Sequence, residues 1–372
     1  MKTRTTARAR ATRATLAAIG SISILALAAC ATPSQGSASA NVGLPDAITL
    51  SVPYSPGGGT DTWARFIAPY LSATMDGEPT VLVENVPGGE SITGSNQFVN
   101  RGGTDGTTVL VTSGTTYIQA LLGRSGVEFD FSKMEPLMLN GTGGVAYVSA
   151  STGITGIDDL VNYDKTLSYG GISATGLDLT LLQAFDVLGV DIDATFGFEG
   201  RGPARLALER GETTLDYQTT SAYLSQVQPS VDAGTVVPLF SFGVLEDGKI
   251  VRDPALPDLP TLEEAYESVN GKEPSGDSYV AYKAFLVPGY VYQKGIWANE
   301  GTPEAVVDSY RSAARAISTD ADFIDKSEDI LGGYPLLPGD VAAAALAEAF
   351  SIPATVRQYT LDMLATKYDI TL

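Results

Sequence analysis

The stretch Ile48–Arg65, ITLSVPYSPGGGTDTWAR, decides the fold. Ile48, Leu50 and Val52 alternate with polar residues until Pro53 stops the run, the pattern of a strand with one buried face. Gly57, Gly58 and Gly59 then allow backbone torsions and a close ligand approach that a Cβ would deny. Thr60 or Asp61 can cap a helix whose apolar face is Trp63, Phe66, Ile67, Tyr70, Leu71 and Met75. Unpaired N–H groups and the positive end of a dipole at such a helix start suit a carboxylate or another small anion. The same turn also occurs in α/β proteins with nothing bound. It is not a P-loop, because no Lys-Ser/Thr follows the glycines, and it lacks the G-x-G-x-x-G spacing of a dinucleotide fold.

Outward from this unit the chain keeps alternating. Strand-like runs at Val81–Glu84, Thr107–Thr112, Met134–Asn140, Val145–Ala150, Thr166–Tyr169, Asp193–Phe198 and Thr213–Tyr217 are separated by helical patterns. The helices fall at Ser91–Asn100, Thr115–Leu122, Gly156–Tyr163, Leu177–Leu188 and Pro203–Arg210. Such alternation predicts α/β architecture with parallel sheets and helical crossovers. After a further extended stretch at Val280–Val287 the pattern turns helical over Pro303–Ser318, Ala321–Ile330 and from Asp340 onward, with Pro353 breaking the last helix. The acidic, proline-rich piece Glu246–Glu273 reads as a surface excursion.

The N-terminus sets the compartment. Lys2, Arg4, Arg8, Arg10 and Arg13 precede an apolar run, Leu16–Ala29, too short to span a bilayer comfortably. Leu27-Ala28-Ala29-Cys30 resembles a bacterial lipobox, which implies a lipoprotein signal peptide over 1–29, diacylation of Cys30 and a membrane lipid anchor. Residues 30–45, rich in Ala, Ser, Gly and Thr, read as a flexible tether. Removing the leader takes the net charge from −20 to −25. A chain so acidic repels nucleic acid, so none is expected as a partner. It does not preclude binding an anionic solute, because local dipoles and one or two cations overcome a diffuse negative surface.

Composition also bears on catalysis. The chain has no histidine, so a Ser-His-Asp triad and His-containing zinc sites are excluded. Cys30 is the single cysteine, so no internal disulfide forms and no thiol nucleophile remains once it is acylated. Carboxylate pairs can run hydrolysis, but the acidic residues are too numerous to single out two. The chain reads as a binding protein and not an enzyme, with no cofactor or metal expected.

Several motifs resemble the tripartite tricarboxylate transporter receptors, the TctC or Bug family of extracytoplasmic solute-binding proteins. Val52–Asp61 is similar to the family's V-P-[FY]-x-P-G-G-x-x-D, with Ala64-Arg65 in register. Val83–Gly89 resembles V-E-N-x-P-G-A, and Thr104–Leu110 resembles P-D-G-Y-T-L. Phe198–Ala204 stands where the family has Y-K-G-x-G-P-A, Leu259–Glu264 resembles V-P-T-x-x-E, and Gly301-Thr302-Pro303 matches G-T-P. The matches run in family order from about residue 48 to 317.

The resemblance implies a two-lobed type II periplasmic-binding-protein-like fold, with a ligand cleft between lobes joined by two crossing strands. Lobe 1 would hold residues 46–141 and 285–372, and lobe 2 residues 142–284. It also implies that the chain captures a small carboxylate, a di- or tricarboxylate or related organic acid, and delivers it to cognate membrane permease subunits. A sensor presenting ligand to a signalling receptor is the alternative. The implied ligand contacts are Tyr54, Ser55, Pro56, Gly57, Gly58, Gly59, Thr60 and Asp61 in the first jaw, with Ser113 and Thr115 beside it. Gly171, Ser173, Ala174, Thr175, Phe198, Gly200, Arg201 and Ser221 come from the second lobe. Two departures stand out. Arg201 replaces a small residue and could fork onto a ligand carboxylate. Glu199 replaces the usual Lys and could contact a ligand amine or hydroxyl. Both could equally face solvent or pair with each other at the rim.

Overall fold

The computed structural model describes residues 46–246 and 248–372; the leader, Cys30 and the 30–45 tether lie outside them. The opening strand β1 (Ala47–Val52) is followed by β2 (Thr80–Asn85), β3 (Thr108–Thr112) and β4 (Glu135–Asn140). The chain then builds β5 (Gly144–Ser149), β6 (Leu167–Gly171), β7 (Ile192–Phe196), β8 (Leu215–Thr219) and β9 (Val236–Ser241). A small hairpin follows, β10 (Val244–Glu246) and β11 (Lys249–Val251), before β12 (Lys294–Ala298) and β13 (Leu336–Pro338).

Two sheets result. One runs β13-β4-β12-β3-β1-β2, the other β7-β6-β8-β5-β9. The fold is two-lobed α/β, as expected. The sheets are mixed and not wholly parallel. β12 lies antiparallel to β3 and β4, and β5 antiparallel to β8 and β9. Strands β5 and β12 are the ones entered from the other lobe, and arriving from that side reverses their direction.

The first lobe follows its apolar pattern. Ile48, Leu50 and Val52 are fully buried beneath α1 (Gly59–Thr74), which inserts Trp63, Ile67 and Leu71. Burying such a side chain stabilises by roughly 1.5–3 kcal/mol each. Phe66 stacks on Phe323 of the helix Ala321–Leu331, with ring centroids 5.4 Å apart. On this lobe α2 (Ile92–Arg101) and α3 (Gly114–Leu122) follow β2 and β3. In the second lobe come α4 (Ile157–Val161), α5 (Asp178–Leu188) and α6 (Arg201–Glu209).

The two links between the sheets differ. Gly141–Gly143 is a short extended link from β4 to β5. The return link is a helix, Asp277–Leu286, continuing into a π-helical turn at Val287–Val291. The expected extended stretch at Val280–Val287 is therefore helical. Tyr282, Phe285 and Leu286 recur at helical spacing and are buried on one face, which overrides the β-favouring valines. The last helix, Ala354–Tyr368, also packs toward the second sheet. Its Tyr359 hydroxyl donates to Asp186 at 2.6 Å, and Gln183 of α5 donates to Thr360 at 3.2 Å.

Candidate functional site

The glycine turn is held from below by Asp61. Its carboxylate accepts from the Gly57 amide at 2.8 Å, from Asn85 Nδ2 at 2.9 Å and from Arg65 Nε at 3.0 Å. The Arg65 bond, reinforced by the Gly57 amide and Asn85, holds the carboxyl at about 2. Asp61 is 3 % exposed and is spent on the turn itself. Asn85, the last residue of β2, also donates to the Tyr54 carbonyl at 3.0 Å.

Tyr54 ties this turn to its neighbour. Its hydroxyl lies 2.7 Å from Thr116 Oγ1 and accepts from Ser113 Oγ at 2.9 Å. Burial raises its pKa. Ser113 also caps α3 by accepting from the Thr115 amide. Tyr54 and Ser113 thus brace the two turns of the first lobe. Ser55, Pro56, Gly57, Gly58 and Gly59 remain exposed at the strand end. The first-turn amides of α1, on Gly59, Thr60 and Asp61, have no acceptor within the helix.

A cation stands beside them. Lys294 opens β12 opposite Asn140, the last residue of β4, where both links leave the lobe. Its Nζ donates to Thr60 Oγ1 at 3.0 Å. Among the described residues its recorded partner is a hydroxyl and not a carboxylate. Desolvation pulls its pKa down to about 8. An ammonium kept short of counter-charge, next to the positive end of a sixteen-residue helix, is a place where an anion gains most. Motif reasoning missed Lys294. The signal was there: a lysine at the head of an apolar strand, KGIWA.

The second-lobe turn after β6 is differently disposed. The Ile172 and Ser173 amides donate to Asp178 Oδ2 at 2.6 and 2.8 Å. Ser173 Oγ and Thr175 Oγ1 both donate to Glu90 Oε2 of the first lobe at 2.8 Å. Gln119 Nε2 donates to the same oxygen at 2.8 Å, and Arg124 donates to Thr175 Oγ1 at 2.7 Å. Glu90 sits at φ 55°, flanked by Gly89 at 54° and Ser91 at 82°. Left-handed torsions at two consecutive non-glycine residues are strained, and these bonds hold them there.

Thr115 faces Gly176 across the lobes, and Gly114 packs so closely on Gly289 that a Cβ would come within 2.3 Å of its carbonyl. Ala174 is buried. A Cβ on Gly171 would strike the Phe196 ring at 2.7 Å, and one on Gly170 the Phe198 ring at 2.8 Å. Gly200 precedes α6 without a side-chain cap bond. Ser221 lies under Gly332, beside Tyr334.

Arg201 neither faces solvent nor pairs with Glu199, which is exposed. Nor is its fork free. It pairs with Asp178 at 3.1 Å and with Asp216, and donates to the Tyr217 carbonyl at 3.0 Å. The Tyr217 ring lies 4.1 Å beneath the guanidinium. Two buried aspartates and two tyrosine rings draw it inward, and no motif spacing foretells such a cage.

Comparison with known proteins agrees with this architecture. No family model matches the chain. A UPF0065 protein of Bordetella pertussis is 28% identical over 284 residues, covering 75% of this chain and 78% of the relative. The periplasmic binding protein BugD superposes with a TM-score of 0.60 at 22% identity, over 86% of this chain and 97% of its own. A Rhodopseudomonas palustris protein with adipate gives 0.62 at 23% identity, over 87% and 98%. The chain shares the two-lobed fold of these periplasmic binding proteins, the fold that the motif resemblance implied.

Proposed function

We propose that the protein is an extracytoplasmic solute-binding lipoprotein, anchored through Cys30, that captures a small organic acid for a tripartite tricarboxylate-type permease. The observation that carries this reading is Lys294. Its ammonium rests on the Thr60 hydroxyl at the open first turn of α1, so a ligand carboxylate there meets a cation, a hydroxyl and helix amides together. The structural relative with adipate bound supports an acid as the solute. The two sheets would be the lobes that close on it, hinged at Gly141–Gly143 and Val287–Val291. Binding needs no bond making, which fits a chain without histidine.

The test is a thermal-shift screen of organic acids, followed by calorimetry, on the parent and on Lys294→Met. At least one acid should raise the parent's melting temperature, and its affinity should drop at least tenfold in the variant. No shift with any acid in the panel would refute the reading.

A further inference from the structure

In the turn after β6 and at Arg201, the groups that could hold a second carboxylate are already in use. In the second lobe the turn after β6 offers two amides, two hydroxyls and a nearby guanidinium. Asp178 takes the amides of Ile172 and Ser173. Glu90 takes the hydroxyls of Ser173 and Thr175. Asp178 and Asp216 together neutralise Arg201. The other arginines of that lobe, Arg205, Arg210 and Arg252, each pair with a glutamate. In the first lobe, among the described residues, Lys294 bonds the Thr60 hydroxyl and has no carboxylate partner.

From this saturation we propose that the ligand is a monocarboxylate, its one anionic group held at Lys294 and Thr60 and its other end neutral, because Glu90 fills the place of a second ligand carboxylate. The proposal rests on the carboxylate reading above and narrows its substrate class. A diacid reaching the turn after β6 would set its far carboxylate against Glu90, Asp178 and Asp216, with that turn's two amides and two hydroxyls already bonded to carboxylates. Like charges so placed, with desolvation added, weaken binding. A monoacid of equal length meets no such opposition.

The test uses the purified full chain and matched pairs, hexanoate against adipate and benzoate against terephthalate, measured by calorimetry. The monoacid of the better pair should bind at least tenfold tighter. Glu90→Gly removes the carboxylate and suits the positive φ, freeing the Ser173 and Thr175 hydroxyls. It should shift the monoacid-to-diacid affinity ratio at least tenfold toward the diacid. Glu90→Gln, which keeps the side chain's length, should shift it the same way if the glycine variant unfolds. A parent that binds the diacid as tightly as the monoacid overturns the inference and leaves the carboxylate reading intact. A parent that prefers the monoacid while both Glu90 variants leave the ratio unchanged overturns the role of Glu90. Binding of neither acid in either pair, alongside a failed wider screen, overturns both readings.

Discussion

Lys294 and Thr60, 234 positions apart in sequence, meet at 3.0 Å through ammonium and hydroxyl. This bond joins the head of a strand at the inter-lobe link to the first turn of the motif helix. It places a titratable charge where pH can be read. The folded-state pKa is about 8, below the usual 10.5 for lysine. Between those values the unfolded chain holds more protons, so this group makes stability rise with pH across that window. Ligand affinity runs the other way. An anion prefers the charged ammonium, so its dissociation constant should be flat from pH 6 to 7 and climb above about pH 8. Lys294→Met should remove that climb, cost at least tenfold in affinity, about 1.4 kcal/mol, and raise unfolding stability at neutral pH. Calorimetry from pH 6 to 10 with urea unfolding checks all three.

Asp61 should behave as a structural residue. Asp61→Asn should lower unfolding stability at pH 7 by about 1.5–3 kcal/mol, the range for hydrogen bonds to a charged group. The folded-state pKa of about 2 lies below the usual 3.8. Its contribution is therefore complete above about pH 4 and lost as pH falls toward 2. Parent and variant should converge in stability on acidification. A constant gap down to pH 2.5 would contradict this.

Arg201→Ala should unfold easily. It strands Asp178 and Asp216 inside the lobe, and removing one partner of a buried pair costs about 3–5 kcal/mol. Denaturant midpoints measure it. A variant with the parent's midpoint would show that the cage contributes little.

The glycines of the first jaw should not be equivalent. Gly57 has φ 80°, where an L-residue costs about 1–2 kcal/mol. Gly58 has φ −77°, and a Cβ there would have the Ser55 carbonyl 3.5 Å away, an ordinary contact. Gly57→Ala should destabilise, whereas Gly58→Ala should be neutral or slightly stabilising. Thermal unfolding of the two variants distinguishes them.

Export and acylation are tested apart from the fold. Cys30→Ser should release the protein from the membrane fraction into the soluble extracytoplasmic fraction. Unchanged membrane attachment would count against a lipid on Cys30.

Much of the architecture was legible because it is local. Glycine-bounded strands, the Thr261–Glu264 capping box and the alternation around β1 each carry their signal within a few residues. The helix over Asp277–Leu286 was misread because its valines favour strands while its burial is decided by distant elements. The motifs marked the strand–turn–helix units but not the state of the donors in their turns. Whether the Ser173 hydroxyl is free depends on Glu90, 83 residues earlier. Whether Arg201 is free depends on Asp178, 23 residues earlier, and Asp216, 15 residues later. Such pairings are made by topology and leave no periodicity to read.

The bridge from Glu90 to Ser173 and Thr175 consists wholly of protein atoms. Apposition of the lobes thus draws favourable energy from the chain itself, independent of any solute. A membrane partner that senses only how the two halves meet would be reading an outline and not its cargo. On the proposed solute-binding role, it would have to take its cue from the Lys294 end, where the ligand's charge would be borne.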